Sequence, residues 1–486
     1  MQARLCATVT GGTTDELRAR RDGVEGADLV ELRLDHVRDP DVDGALAGRR
    51  RPVVVTCRPT WEGGRFPGSE EERRRLLARA LELGAEYVDL EWRAEFDDVL
   101  QVRRGRNIVL SAHDFDGVPS DMTERYRAMC ATGAEVVKMA VRAGSLRDML
   151  PLLDLPEPDA AQSRVLVAMG AAGVASRLLP DRFGSCWTYA GDGVAPGQIG
   201  LRRMIEEFRV RQVTAVTELY GLLGAPVGHS LSPAMHNAGF AAIGRDAVYV
   251  PLEARDVEDF WTLAARLDLR GASVTAPFKE QVVAGLDSSD ALVEQVGAAN
   301  TLQAFDGGWR GLNTDVPGFL QPLEGRIALK GCRAAVLGGG GVARGVTVAL
   351  AGRGARVAVC ARNVRRAADV ASIAGAEAAP LPPRPGSWDL LVNTTPVGTY
   401  PDVDSTPLPG GPFDGRLVYD LVYNPRETRL LAEARAAGCE TIGGLSMLVA
   451  QACRQFEWWT GSAAPVDVFR QAAERRLAAI EAGCEN

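Results

Sequence analysis

The chain has 486 residues, 46% hydrophobic and 24% charged, with a net charge of −8. That length predicts two or three domains with ample cores, and an acidic balance without a basic block argues against nucleic acid as a partner. Nine scattered cysteines without metal-ligand spacing, no apolar run long enough to cross a membrane, and an N-terminus that enters a strand-like run at once predict free thiols and a soluble cytoplasmic protein with no metal.

The first two hundred residues repeat one pattern. Apolar strand-like runs fall at Leu5–Val9, Leu29–Leu34, Val53–Cys57, Tyr87–Trp92, Ile108–Ala112, Val136–Val141, Val165–Met169 and Cys186–Ala190. Charged helical stretches with acidic starts and glycine stops separate them. Eight alternating units predict a compact (β/α)8 TIM barrel. A doubly wound open sheet competes, but no glycine fingerprint follows the first run.

In such a barrel the chemistry sits at the C-terminal ends of the strands. In Glu31-Leu32-Arg33-Leu34-Asp35 the charges share one face, which predicts either a polar ligand or a ring of salt bridges. Arg58 follows the third run and leads to Glu62-Gly63-Gly64. The fifth ends in Ser111-Ala112-His113-Asp114-Phe115, and His113 is one of only four histidines. The sixth carries Lys138. Of 55 basic residues only Lys138, Lys279 and Lys330 are lysines; the other 52 are arginines. Arginine replaces lysine at most ion pairs, but not where an amine must lose its proton and attack. A lysine between Val137 and Met139 is thus a candidate Schiff-base nucleophile, favoured by desolvation. The bland alternative is an ammonium that reaches water.

ELRLD, Arg58 with Glu62-Gly-Gly, SAHDF, VVKMAV, Ser176-Arg177-Leu178 and Ala195-Pro196-Gly197-Gln198 occur in that order. Together they resemble type I 3-dehydroquinate dehydratase over residues 1–213. The resemblance implies that Lys138 forms an imine with the substrate ketone. His113 would act as base and then acid, with Glu62 orienting it. Glu31, Arg33, Arg58, Arg177 and Gln198 would hold hydroxyls and carboxylate. Val194 stands where that family often has a serine, so no hydroxyl contact is carried over there.

After the barrel no proline- or glycine-rich linker intervenes, and a new strand is expected at Leu219–Leu223. A polar turn, Gly228-His229-Ser230-Leu231-Ser232-Pro233, leads into a helix that the serines could simply cap. Ser273-Val274-Thr275-Ala276-Pro277-Phe278-Lys279 is expected as a strand ending on the second lysine. Ala299-Asn300-Thr301 and Asn313-Thr314-Asp315 are placed at strand ends, and Asp315 could pair with Lys279. Arg333–Leu337 reads as a strand, and Gly338-Gly339-Gly340-Gly341-Val342 opens a helix in the manner of a dinucleotide turn. The next strand, Val357–Cys360, runs into Arg362 and Arg366 with no acidic residue for a ribose 2′-hydroxyl, which suits a 2′-phosphate.

With Asn393-Thr394-Thr395-Pro396-Val397-Gly398, Tyr419-Asp420-Leu421-Val422-Tyr423 and Met447-Leu448-Val449-Ala450-Gln451, these motifs resemble shikimate dehydrogenase over residues 218–486. The resemblance implies a substrate-binding domain at 218–322, a Rossmann NADP-binding domain at 323–444, and C-terminal helices at 445–486 that return to the substrate domain. Ser230, Ser232, Thr275, Asn300, Tyr423 and Gln451 would contact substrate, and Lys279 with Asp315 would be the catalytic pair. Gly338, Gly339, Gly340, Gly341, Val342, Arg362, Arg366, Leu421 and Gly444 would contact NADP; Ala361 replaces the family's usual asparagine.

The two activities are consecutive: 3-dehydroquinate to 3-dehydroshikimate, then to shikimate. Two rivals are weighed: a catabolic, NAD-using quinate/shikimate dehydrogenase, and a metabolite-sensing pseudo-enzyme on the same folds. The presence of Lys138, His113, Lys279 and Asp315 argues against the second.

Overall fold

The computed structural model describes residues 3–94, 96–191 and 193–483, so the first two and last three positions of the expected domains lie outside the described residues. The chain forms two compact units. The first runs to Glu218 and takes in Asp246–Asp268; the second holds Leu219–Arg245 and the chain from Leu269 onward.

In the first unit all eight expected strands form: β1 (Arg4–Val9), β2 (Leu29–Arg33), β3 (Val53–Thr56), β4 (Tyr87–Glu91), β5 (Ile108–Asp114), β6 (Val136–Arg142), β7 (Ser163–Met169) and β8 (Trp187–Ala190). They pair in parallel in the order β7-β6-β5-β4-β3-β2-β1-β8. The outer strands meet through a bridge between Arg164 and Ser185, which closes the barrel. Helices and short 3₁₀ turns connect the strands, as a parallel sheet requires. Helix Glu70–Glu82 shows the local logic: Ser69 and Glu72 form a reciprocal capping box at its start, followed by three acidic residues. Cys6, Leu29, Val54, Val109, Val136, Val165 and Trp187 pack together as the barrel's apolar core. The unit runs straight into β9 (Glu218–Gly224). Asp246–Asp268 adds β10 (Ala247–Glu253) and the helix Val257–Arg266.

The second unit has two lobes. One carries β9, β11 (Leu269–Val274), β13 (Thr301–Phe305), β14 (Gly308–Leu312) and β12 (Ser288–Ser289), which neighbour one another in that order. The strand expected to end on Lys279 stops at Val274, five residues early. Pro277, which has no N–H for a ladder, turns Thr275–Lys279 into a loop. The other lobe is an all-parallel sheet of β15 (Arg333–Leu337), β16 (Arg356–Cys360), β17 (Glu377–Ala379), β18 (Leu390–Asn393), β19 (Leu417–Asp420) and β20 (Glu440–Ile442). Its order, β17-β16-β15-β18-β19-β20, is the doubly wound Rossmann order. Alternate residues of β15 feed opposite cores: Ala334 and Val336 one, Ala335 and Leu337 the other. That explains why the strand reads as a continuous apolar run. The last helices, Leu445–Thr460 and Val466–Glu481, pack on helices Asp315–Leu320 and Ser232–Ala242 of the first lobe, with Phe469 against Phe456 and His236.

Two candidate active sites

The barrel holds a cavity lined by Glu31, Arg33, Arg58, Glu62, His113, Lys138, Arg177 and Gln198, so every residue that the motifs nominate in the first half meets there. Strand alternation places them. Glu31 and Arg33 are two apart on β2, Ser111 and His113 two apart on β5, and Lys138 pairs with Ser111 across β5 and β6.

Lys138 is only 6% exposed. Its surroundings are not purely apolar, in contrast to what its flanking valine and methionine suggest. Its Nζ lies 3.2 Å from Asp89 Oδ2 and 4.3 Å from the centre of the Tyr189 ring. Behind it runs a buried charge network. Arg58 pairs with Asp89 at 3.0 Å and Glu91 at 2.8 Å, and donates to Ser111 Oγ at 2.8 Å. Arg73 pairs with Glu91 from the far side. Burial alone would raise the Asp89 carboxyl, but Arg58 and Lys138 hold it below the usual carboxylate range. Sequence reasoning missed Asp89 and Tyr189. The signal for Asp89 was available: Asp89 and Glu91 alternate with Val88 and Leu90 just as Glu31 and Arg33 alternate with leucines.

His113 Nδ1 lies 2.9 Å from Glu62 Oε1, which also accepts the His113 backbone N–H at 3.0 Å. Phe115 stacks on the imidazole. Burial, then the cations Arg58 and Lys138, push the imidazole well below its ordinary value. Burial raises Glu62 to about 7, against the pull of Arg58. Glu62 Oε2 is buried with no hydrogen-bond partner among the described residues.

The arginines differ in a way that bears on ligand binding. Arg33 is tied to Asp35 by two contacts of 2.8 Å, and Arg58 is tied as above. Arg177, on the short helix Val174–Leu178, donates from Nη2 to Pro196 O at 3.2 Å, while its buried Nε has no hydrogen-bond partner among the described residues. Burial with only distant help from Glu31 lowers it to about 10. Gln198 Oε1 accepts from the N–H groups of Val194 and Ala195, which leaves its NH2 as the donor available to a ligand.

The second cavity lies in the second unit. Ser230, Ser232, Thr275, Lys279, Asn300, Asp315, Val342, Leu421, Tyr423, Gly444 and Gln451 all line it. Lys279 Nζ lies 2.6 Å from Asp315 Oδ2. The other Asp315 oxygen accepts from Asn300 Nδ2 at 2.9 Å, and that amide also reaches Gln451 Oε1 at 3.2 Å. Asp315 opens a helix, and Asn300 sits just ahead of β13. Ser232 does not cap its helix through its side chain; Ser230 Oγ accepts its N–H instead, at 3.2 Å.

Two further residues escaped the sequence reading. Gln455 lines the cavity, donates to Asn300 O at 3.0 Å and accepts from Ser273 Oγ at 2.8 Å. It lies one helical turn beyond Gln451, the spacing that puts two side chains on one face. Asp420 is buried and accepts from Asn393, Val422 N and Thr428, which fixes the turn bearing Leu421 and Tyr423. Burial raises its carboxyl.

The glycine turn lies outside that cavity's lining except for Val342. Gly338 has φ +125°, and a Cβ there would meet Thr394 Oγ1 at 2.4 Å, so only glycine fits. A Cβ on Gly339 would sit 3.0 Å from Arg366 Cβ, and one on Gly341 4.0 Å from Lys279 Cβ. The turn therefore lies beside both the basic helix start and the catalytic candidate. Gly340 precedes helix Gly341–Gly352, whose first amides are open to an anion. Asn363 caps helix Val364–Ser372 through the N–H groups of Arg365 and Arg366. The Arg362 and Arg366 guanidiniums have no ion pair among the described residues. Uncompensated cations at a helix N-terminus, beside a glycine turn, fit a dinucleotide with a 2′-phosphate. Gly444 packs against Leu421 O, where a Cβ would approach to 2.2 Å. The third lysine, Lys330, is exposed just ahead of β15 and lies in neither active cavity.

Among the described residues no helix is long and apolar enough to cross a membrane, and no group of three or more His, Cys, Asp or Glu is placed to hold a metal ion.

Comparison with known proteins matches both halves. The type I 3-dehydroquinase family matches residues 5–215, the shikimate dehydrogenase substrate binding domain residues 222–302, and the shikimate 5'-dehydrogenase C-terminal domain residues 444–474. The shikimate dehydrogenase (NADP(+)) of Moorella thermoacetica is 44% identical over 56% of this chain and 98% of its own. A crystal structure of shikimate 5-dehydrogenase from Thermus thermophilus, in complex with NADP(H) and shikimate, is 38% identical and covers 53% of this chain and 99% of its own, with a TM-score of 0.50. The bifunctional 3-dehydroquinate dehydratase/shikimate dehydrogenase, chloroplastic, of Arabidopsis thaliana is 32% identical over 96% of this chain and 83% of its own. A likeness of that extent, covering nearly the whole chain, makes this chain a member of the bifunctional 3-dehydroquinate dehydratase/shikimate dehydrogenase family.

Proposed function

We propose that the chain catalyses two consecutive reactions, dehydrating 3-dehydroquinate to 3-dehydroshikimate and reducing that ketone to shikimate with NADPH. The observation that carries this is the pair of cavities in one chain, one built on Lys138 and the other on Lys279 with Asp315.

In the barrel the Lys138 amine condenses with the substrate ketone and water leaves. The protonated imine draws electrons from the neighbouring carbon, so that carbon's proton becomes acidic enough to remove. His113 removes it. With Nδ1 engaged by Glu62, Nε2 is the free base, and the depressed imidazole is neutral and ready to accept. The enamine then expels the hydroxyl, and His113 returns its proton to the leaving oxygen. Water hydrolyses the imine and releases Lys138. Of the three arginines, Arg177 is the best ligand for the substrate carboxylate. Arg33 and Arg58 already have carboxylate partners, whereas Arg177 is buried without one. Glu31 and Gln198 are left to hold hydroxyls.

In the second unit NADPH, when bound, supplies the hydride. The chain's own residues orient the ketone and manage the proton. Ser230, Ser232, Thr275, Tyr423 and Gln451 hold the substrate, and Asn300 ties it to Asp315. The Lys279–Asp315 pair supplies the proton that the new hydroxyl needs. The NAD-using rival is disfavoured by Arg362 and Arg366. The sensor rival is disfavoured because both sets of reactive side chains are assembled. We place the protein in the cytoplasm, a setting suited to the free cysteines of the described chain.

The test is a coupled assay. The protein with 3-dehydroquinate and NADPH is expected to consume reduced nicotinamide and accumulate shikimate. Turnover with 3-dehydroshikimate but not with 3-dehydroquinate would refute the first activity, and 3-dehydroshikimate formed from 3-dehydroquinate without oxidation of nicotinamide would refute the second.

A cofactor prediction belongs here. Arg362→Ala removes one charge-assisted contact, worth about 1.5–3 kcal/mol. KM for NADPH is expected to rise roughly tenfold to a hundredfold with KM for NADH nearly unchanged. Equal use of both cofactors by the parent protein would overturn the assignment.

A further inference from the structure

One piece of the first unit belongs by sequence to the other enzyme. Asp246–Asp268 lies within the stretch matched to the shikimate dehydrogenase substrate binding domain, residues 222–302, yet it clusters with the barrel. It contributes nothing to the Lys279 cavity. Part of what it touches is the rim of the Lys138 cavity. β10 packs on the helix Val174–Leu178, which bears Arg177, and on the turn Ala171–Gly173 before it. Helix Val257–Arg266 packs on the turn Leu146–Met149, which follows the Lys138 strand.

Asp259 is the centre of this contact. It is 0% exposed. One carboxylate oxygen accepts from Leu146 N at 2.9 Å and Arg255 N at 3.0 Å, and the other accepts from Arg147 N at 2.8 Å. A planar group that addresses two successive amides with different oxygens fixes their orientation as well as their position. From that turn a short series of backbone bonds leads to the cavity. Ala143 N donates to Met169 O at 2.9 Å, and Gly170 N donates to Pro196 O at 3.2 Å. Pro196 O is also the acceptor for Arg177 Nη2 at 3.2 Å. Met169, Pro196 and Arg177 all line the cavity.

We propose that Asp259 is a positioning residue of the dehydratase: it fixes the turn after the Lys138 strand and, through Met169, Gly170 and Pro196, the placement of Arg177. The inference rests on Arg177 as the ligand of the substrate carboxylate. Ligand placement within a fraction of an ångström is what such a clamp needs, and a displacement of about 1 Å far from the chemistry can cost on the order of a hundredfold.

The test uses the full chain with three substitutions. Arg177→Ala checks the underlying reading and is expected to raise dehydratase KM by about a hundredfold, the scale of a lost charged contact. Asp259→Ala is expected to raise it about tenfold with kcat within about twofold, and Asp259→Asn, which keeps one accepting oxygen, by less. Reductase kcat and KM should not move, because neither Asp259 nor any other residue of the segment lines that cavity. A purely structural role would instead lower the active fraction, cutting kcat at constant KM. If Arg177→Ala leaves KM unchanged, the carboxylate reading falls and this inference with it. If Arg177→Ala raises KM while both Asp259 variants keep it within about twofold, only the positioning role is overturned. Should Asp259→Ala not fold, Asp259→Asn carries the same comparison, and an unchanged KM there refutes the role.

Discussion

In a Lys138→Arg variant, dehydration of 3-dehydroquinate is expected to fall by about 10⁴-fold or more, the scale on which losing a covalent nucleophile acts, while reduction of 3-dehydroshikimate continues at its original rate. The substitution is chosen because it separates charge from nucleophilicity. Arginine can still pair with the Asp89 carboxylate that lies 3.2 Å from Nζ, and its flat head can still lie over the Tyr189 ring. The buried charge network around Arg58 and Glu91 therefore keeps its balance. What disappears is an amine that can be deprotonated and attack a carbonyl. Borohydride added to the parent protein with 3-dehydroquinate or 3-dehydroshikimate should inactivate dehydration irreversibly, with the added mass on the peptide that contains Lys138. Retained dehydration in the arginine variant, or an adduct on Lys279 or Lys330, would sink the imine mechanism.

The second large effect concerns Lys279. Lys279→Met removes the ammonium but keeps the length of the side chain. Reductase kcat is expected to fall by roughly 10²–10⁴-fold, the range for a lost general acid, with KM for 3-dehydroshikimate changed much less. Asp315 stays in place in this variant, because Asn300 and the helix start hold it independently of the lysine. Substrate contacts through Ser230, Thr275 and Gln451 are likewise untouched. A variant with near-normal kcat and a raised KM would make Lys279 a binding residue.

How much of this was legible beforehand depends on range. Eight strands separated by helical stretches can be counted in the sequence because period-two alternation and glycine stops are local signals. The same alternation puts Glu31 with Arg33, and Ser111 with His113, on one face. Lys138 was noticed because lysine is so rare in this chain. Its immediate partners were not, because Asp89 sits 49 residues away and reaches it only past the intervening strand β5. Reading the environment of Lys138 from Val137 and Met139 therefore missed the carboxylate that faces it. The strand expected to end on Lys279 was an error of a different kind: the strand stops at Val274, and Pro277, which cannot donate to a ladder, lies in the loop that follows. Asn363 is a milder case. Its position after a strand and before Arg365 and Arg366 is an N-cap signature, visible in sequence but outweighed there by the arginines. The placement of Asp246–Asp268 left no sequence trace, since it depends on Asp259 meeting two amides more than a hundred residues earlier.

The scarcity of lysine has a practical corollary. Of the three lysine amines, Lys138 is buried inside the barrel, Lys279 is partly buried and paired with Asp315, and only Lys330 stands open to solvent. Amine-reactive dyes or crosslinkers would find a single readily accessible lysine side chain on the entire surface, in a lobe far along the sequence from the barrel. Among the lysines, the protein thus offers one attachment point at a known position, with the α-amino group of the chain as the competing amine.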